Sequence, residues 1–274
     1  MRHVNKKLGF IGCGNMAQAI IGGIISSDIV SRENVMGSNS GDKNLNITKE
    51  KYGILTTHDN KEVAKFSDIL FIAVKPHAYV SVIDEIKHYA KSDAIIITIA
   101  AGITINFMEK ALGRSVKVVR TMPNTPALVG EGMTAVCSND MVSKEELEEV
   151  LMLLRCFGKA EVIEERLMDA VPAVSGSSPA YVYMFIEALA DGAVRDGIPR
   201  AKAYNFAAQA VLGAAKMVLE TGIHPGNLKD NVCSPGGTTI EAVYSLEKNN
   251  FRGTVIEAMK ACTDKSREIS RNNG

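Results

Sequence analysis

The chain has no tryptophan, and only 5% of its 274 residues are aromatic. No Lys/Arg-rich block interleaves with those aromatics, so the stacking platforms that single-stranded nucleic acid needs are missing. Neither sign of charge dominates, since 31 basic residues meet 31 acidic ones. Without a net field, neither nucleic acid nor an anionic membrane has an electrostatic reason to bind. No run approaches the ~20 apolar residues that span a bilayer. The stretch from Met1 to Asn15 reaches glycines before any long apolar region, so it does not read as a secretion signal. Cys13, Cys137, Cys156, Cys233 and Cys262 are odd in number, scattered, and never in a CxxC pair. That pattern fits reduced thiols in the cytoplasm, and neither a disulfide framework nor a zinc site. The histidines, His3, His58, His77, His88 and His224, show no metal-ligand spacing, so no metal is expected. His224, before Pro225-Gly226, reads as a loop residue rather than a base. Neither G-x-S-x-G nor H-E-x-x-H occurs, which removes the motif support for a hydrolase.

What is present is a βαβ rhythm. Leu8–Ile11, Val35–Gly37, Ile69–Val74, Ile95–Ile99 and Val116–Arg120 are candidate strands, with Thr134–Val136 and Glu161–Ile163 as candidate extensions. The first four are near-continuous apolar runs, as strands buried on both faces of a parallel sheet require. Helical patterns lie between them at Met16–Ser26, Lys61–Phe66, Tyr79–Tyr89 and Ile105–Leu112. The acidic run Glu145–Glu149 reads as a solvated helix face, and Arg120 with the MPNTPA loop as the shaping of a strand end. This predicts an α/β, doubly wound, Rossmann-type domain over residues 1–164.

From about residue 165 candidate strands vanish and Ala-rich helical sequence takes over, predicting an all-α domain over 165–274. Asp169 reads as a helix cap near the boundary. In Ala180–Arg195, Glu187, Asp191 and Arg195 share one face. The next helix, about Ala201–Thr221, has no charge from Ala203 to Ala215. A helix apolar nearly all round must be buried, either centrally in one monomer or, more economically, in a subunit interface.

Two glycine-bearing turns carry the chemistry. Gly12-Cys13-Gly14-Asn15-Met16-Ala17 is a G-x-G-x-x-A that follows an apolar strand ending at Ile11 and opens an apolar helix. Gly12 allows the tight turn, Gly14 the approach of a pyrophosphate, and Ala17 close helix–strand packing. After the second strand, Ser38, Asn39 and Ser40 precede any carboxylate, and Lys43 is near. Nothing there repels a ribose 2′-phosphate, so NADP is preferred while NAD stays open. Val74-Lys75 and Ala100-Ala101-Gly102 end two further strands, where small residues admit a flat ring and ligands gather. The second turn is Ser234-Pro235-Gly236-Gly237-Thr238-Thr239-Ile240. Its glycines permit close approach, and Thr238 and Thr239 add hydroxyls to the unpaired N–H groups of an opening helix, which suits a small carboxylate.

With FIGCGNMA at 10–17, FIAVKP at 71–76, IAAGI at 99–103, RTMPNTPA at 120–127, DAVPAVSGSSPAY at 169–181, HPGNLKDNV at 224–232 and SPGGTTI at 234–240, the chain resembles the pyrroline-5-carboxylate reductases along nearly its full length. The resemblance implies reduction of L-1-pyrroline-5-carboxylate to L-proline by hydride from NAD(P)H, and helical C-terminal dimerisation with possible assembly to a decamer. It implies cofactor contacts from Gly12 to Ala17 and at Ser38, Asn60, Val74, Lys75 and Ala101. Asn60 has no signal of its own. On the substrate side it implies a carboxylate held by Gly236, Gly237, Thr238 and Thr239, with Thr239 on the ring nitrogen. Asn231, Glu165 and the loop Ser175, Gly176, Ser177 match positions near the family's active site. Two residues depart from the family pattern, Ser178 where Gly is usual and Pro172 where Thr is common. Ser178 would be strained by about 1 kcal/mol if its position needs positive φ. A β-hydroxyacid dehydrogenase would need a lysine in the region Ala180–Ala190, which has none. A nucleotide-binding sensor without catalysis, or a reductase of a related cyclic imine, stays open.

Overall fold

The computed structural model describes residues 4–273, so His3 and the start of the stretch read for a secretion signal lie outside the described residues. The first part of the chain alternates β1 (Leu8–Ile11), α1 (Asn15–Ser26), β2 (Val35–Ser38), α2 (Asp42–Tyr52), β3 (Leu55–Thr57), α3 (Asn60–Phe66), β4 (Ile69–Ile72), α4 (Tyr79–Ile86), β5 (Ile95–Thr98), α5 (Ile105–Leu112) and β6 (Lys117–Met122). Then follow β7 (Gly132–Ser138), α6 (Lys144–Leu154) and β8 (Gly158–Val162). They form one eight-stranded sheet in the order β3-β2-β1-β4-β5-β6-β7-β8. Every pairing is parallel except β6 with β7. The first six strands have the 3-2-1-4-5-6 order of the doubly wound dinucleotide fold, whose ligand crevice opens where the order reverses, beside β1.

The core explains that order. Every residue of β1, β4 and β5 is buried, as strands covered on both faces must be. Phe10 of β1 stacks on Phe71 of β4 with ring centroids 4.6 Å apart. Gly9 lets α3 close onto β1, because a Cβ there would come within 1.8 Å of Ser67 Oγ.

Two elements were not anticipated, β3 and α2. β3 is three residues long, and its Leu55 is 42% exposed. Of α2 only Leu45, Thr48 and Tyr52 are buried. These three share a helical face, yet one is polar, so the apolar pattern is too thin to stand out.

The described residues divide into two compact units. One runs through Ser177 and takes up the chain again from Cys262, and the other is Ser178–Ala261. The second holds α7 (Ser178–Arg195), α8 (Arg200–Thr221), α9 (Pro225–Val232), α10 (Thr238–Lys248) and the first half of α11 (Phe251–Asn273). Within this unit α8 buries only Ala203 and Ala207, while Phe206 is 64% and Leu212 55% exposed. One chain alone therefore does not cover α8, against its reading as a central helix of the monomer. The conditional strain at Ser178 is also absent. Among the described residues, the non-glycines with positive φ are Asp28 and Asn250, so Ser178 opens α7 in a conformation open to any residue. No helix of the described residues is long and apolar enough to cross a membrane.

Candidate active site

β1 ends at Ile11 and the chain turns through Gly12, whose φ of +96° suits glycine. A Cβ at Gly12 would lie 2.7 Å from the Ala73 carbonyl oxygen and 3.2 Å from Val74 Cγ1, so the turn touches the end of β4. Gly14 differs in kind. It is the N-cap of α1, offers no side-chain cap, and a Cβ there would meet nothing within 4 Å. The first-turn N–H groups of α1, Asn15 and Met16 among them, thus face open space at the positive end of a helix dipole, an arrangement made for phosphate. Ala17 is buried, as the packing of α1 on the sheet demands. These residues fit the pyrophosphate of a dinucleotide.

Cys13, between the glycines, is structural. Its Sγ contacts the Ser38 carbonyl oxygen at 3.4 Å, and burial pushes the thiol up to about 11. Its N–H donates to Asn39 Oδ1 at 3.2 Å, which ties the phosphate loop to the end of β2. Asn39 Nδ2 donates to the Gly41 carbonyl at 2.9 Å. Ser38 is fully buried, and its hydroxyl donates to Asn60 Oδ1 at 2.7 Å, while Asn60 Nδ2 donates to Glu85 at 2.8 Å. Asn60, silent in the sequence and the first residue of α3, is therefore the clasp between the end of β2 and α4. Ser40 and Lys43 are exposed beside it. Two further polar neighbours were missed, Glu85 and His58. His58 Nδ1 lies 2.9 Å from the Asn39 carbonyl and Nε2 lies 3.1 Å from Asp42. Glu85 carries no sequence signal, whereas His58 precedes Asn60 by two residues.

The ends of β4, β5 and β6 are pinned by a buried hydroxyl chain. Tyr79 Oη lies 2.6 Å from the Ile72 carbonyl and 2.8 Å from Thr98 Oγ1, and Thr121 Oγ1 donates to the Thr98 carbonyl at 2.9 Å. Burial drives the Tyr79 phenol far above its ordinary value. Past these fixed ends, Lys75 is exposed, Ala101 is half-buried, and Gly102 turns the chain with φ +77°.

Glu165 sits in an ion-pair cluster. Arg120, on β6 and nearly buried, reaches Glu165 at 3.3 Å and Asp169 at 2.8 Å. Glu165 Oε1 also accepts the N–H of Ile105 at the start of α5, at 2.8 Å. Asp169 accepts from Ser270 Oγ at 2.8 Å as well, so it is a charge partner and not the helix cap the sequence suggested. The loop of Ser175, Gly176 and Ser177 closes a wide π-helical turn begun by Pro172. Asn124 Nδ2 holds the Ser175 carbonyl at 2.9 Å, and Met122 Cε lies 3.0 Å from where a Gly176 Cβ would be.

In the helical unit, the N–H of Gly237 closes a turn onto the Ser234 carbonyl at 3.0 Å, with Gly236 at φ +68°. Pro235 and Gly236 occupy the positions such a turn favours. Gly237 then caps α10 with no side-chain acceptor, leaving the first-turn N–H groups of Thr238, Thr239 and Ile240 beside two hydroxyls. Thr239 is half-buried and Thr238 exposed. Asn231 is exposed on the last turn of α9, and His224 caps that helix by accepting the Gly226 N–H on Nδ1 at 3.1 Å. The structure thus gathers Ile11–Ala17, Ser38–Ser40, Asn60 and Val74 around one strand-end crevice. Gly236–Thr239 form a second, separate cradle in their own unit. Among the described residues no cluster of His, Cys, Asp or Glu has the arrangement of a metal site.

Residues 165–269 match the family model described as pyrroline-5-carboxylate reductase dimerisation, and residues 7–102 one described as NADP oxidoreductase, coenzyme F420-dependent. The pyrroline-5-carboxylate reductase of Escherichia coli is 52% identical over 98% of this chain and 100% of its own length. That of Methanosarcina acetivorans is 42% identical over 97% and 99%. Among solved structures, a Plasmodium falciparum pyrroline carboxylate reductase with NADP bound superposes with a TM-score of 0.89 at 38% identity, covering 98% of this chain and 99% of its own. A Coxiella burnetii pyrroline-5-carboxylate reductase gives a TM-score of 0.91 at 35% identity, covering 97% and 99%. Identity of this order along the whole length, through both glycine-bearing turns, places the chain in the pyrroline-5-carboxylate reductase family.

Proposed function

We propose that this chain reduces L-1-pyrroline-5-carboxylate to L-proline, the last step of proline biosynthesis, with NADPH as the preferred reductant and NADH as a second. The observation that carries this reading is the pair of uncapped helix starts, one behind Gly14 and one behind Gly237, in a chain of this family. Each presents unpaired N–H groups to an anion, one suited to a pyrophosphate and the other to a carboxylate.

The chemistry asks for positioning. A cyclic imine accepts hydride once its nitrogen is protonated, so neither a nucleophile nor a metal is required. Bound NADPH supplies the hydride, and one proton from water completes the amine. Residues Ile11 to Ala17, Ser38, Asn39, Ser40, Asn60, Val74, Lys75 and Ala101 hold the cofactor. Gly236, Gly237 and Thr238 anchor the carboxylate, and Thr239 hydrogen-bonds the ring nitrogen and orients its proton. Preorganised donors of this kind lower a barrier without changing their own charge. Asn231 and the loop 175–177 complete the substrate side. Glu165 contributes there by fixing Arg120 and the first turn of α5. Residues 1–164 serve the dinucleotide, and 165–274 the substrate and dimerisation. The exposed apolar face of α8 supports a homodimer, with assembly to a decamer as the further step and the cytoplasm as the compartment.

The test is loss of reduced-nicotinamide absorbance on adding L-1-pyrroline-5-carboxylate, with proline identified as the product and NADPH and NADH compared. Tight NADPH binding with no turnover would leave a nucleotide sensor, and turnover only with other imines would change the substrate.

A further inference from the structure

Selectivity between the two cofactors is decided where β2 ends. Asp42 is the one carboxylate in the stretch Met36–Lys43, and it opens α2 directly behind the uncapped Gly41. A carboxylate in this neighbourhood favours a free ribose 2′-hydroxyl, which it can accept, and repels a 2′-phosphate. The carboxylate of Asp42 does not stand alone. His58, in the turn between β3 and α3, places Nε2 at 3.1 Å from it and Nδ1 at 2.9 Å from the Asn39 carbonyl. Both partners are oxygen acceptors, so each ring nitrogen lies at hydrogen-bond distance from one. Ser38 and Asn39 are engaged with Asn60, Cys13 and Gly41, which leaves the exposed groups of this strand end as Ser40, Asp42, Lys43 and His58.

We propose that His58 is the cofactor-selectivity residue of this chain. Its imidazolium cancels the charge of Asp42 and, with Lys43, gives the strand end a cationic face for a ribose 2′-phosphate. Without it, Asp42 becomes the acidic group that an NADH site wants. The inference rests on the nicotinamide-dependent reading above and assigns a residue that neither the glycine fingerprint nor the uncapped helix start requires.

The experiment is calorimetric titration of the full chain with 2′,5′-ADP and with 5′-AMP, which differ only in the 2′-phosphate. His58→Ala is expected to weaken 2′,5′-ADP by about two- to fivefold, the range of one ionic contact at an exposed site, and to leave 5′-AMP unchanged. Asp42→Asn is expected to tighten 2′,5′-ADP, and in its background His58→Ala should cost less, because the two side chains act on each other. The NADPH/NADH ratio of kcat/KM should fall in His58→Ala by the same factor. If His58→Ala loses both ligands, His58→Gln, which keeps a donor for Asn39 without the charge, decides by the same comparison. An unchanged ratio of the two affinities in that variant overturns the proposal. Normal proline formation with an unchanged ratio would remove the role of His58 alone. A correct ratio shift without imine reduction would instead remove the reductase reading.

Discussion

Gly12 and Gly14 share a motif and do opposite work. A Cβ on Gly12 collides with the backbone of Ala73 at a positive φ, whereas one on Gly14 enters open space at φ −73°. Gly12→Ala should therefore cost on the order of 2 kcal/mol or more of folding stability, read as a lower denaturant midpoint. Gly14→Ala should leave that midpoint in place and weaken NADPH binding, read by calorimetry, since its methyl group occupies room kept for the ligand. Thr239→Ala should lower turnover with folding and NADPH binding intact; unchanged turnover and affinity would remove Thr239 from the mechanism. The thiols make a different prediction. Burial raises Cys13 from 9.0 to about 11 and Cys137 from 9.0 to about 12, with the nearby Glu165 carboxylate adding to the latter. A raised acid keeps its proton in the fold after the unfolded chain has lost it. Stability is then intact below pH 9 and falls as the pH climbs toward each folded value, by about 1.4 kcal/mol per unit per thiol. Denaturant midpoints measured from pH 8 upward check this, and Cys13→Ala should flatten the slope.

At the scale of elements, legibility followed burial. β1, β4 and β5 were plain in the sequence because both faces are covered and every residue but Thr98 is apolar. β3 was not, since as an edge strand it keeps one side to solvent and spends only three residues. The Arg120 cluster was also out of reach. Residue 120, the neighbours 165 and 169, and residue 270 lie far apart in sequence, and no local pattern announces that they meet. The cradle at Gly12–Ala17 was legible because its chemistry is backbone, written in consecutive residues, while the Asn60 clasp depends on the end of β2, the start of α3 and α4 coming together. The Arg120 cluster is testable as a unit. Arg120→Met removes the cation from two carboxylates, and their part exposure puts the loss at about 3 kcal/mol, near the lower end for a broken buried pair. Urea denaturation reads it, and Asp169→Asn should cost less because the asparagine still accepts from Ser270.

For the whole molecule, the exposed apolar side chains of the helical unit decide how the protein behaves in solution. Phe206, Leu212, Met217 and Leu219 of α8 are each about half exposed or more, together with Met184 and Tyr183 of α7. A surface of this kind marks an association site. Thermal stability should therefore rise with protein concentration, as mass action requires of a subunit interface. Phe206→Glu should abolish that dependence and shift the species seen by sedimentation to the single chain. Here the sequence was informative through an absence, because the missing charge between Ala203 and Ala215 foretold a face that one chain does not bury.

The chain leaves its first unit after Ser177 and returns to it at Cys262, where the Ser270 hydroxyl meets Asp169. On a ribosome, then, the unit that holds the sheet is begun first and receives its later residues only after the helical unit. Nascent chains halted before residue 262 should expose the Arg120 cluster on the side that Ser270 closes. Closure of that cluster thus waits until the whole helical unit has been translated, and loss of residues from 262 onward damages the part of the protein made earliest.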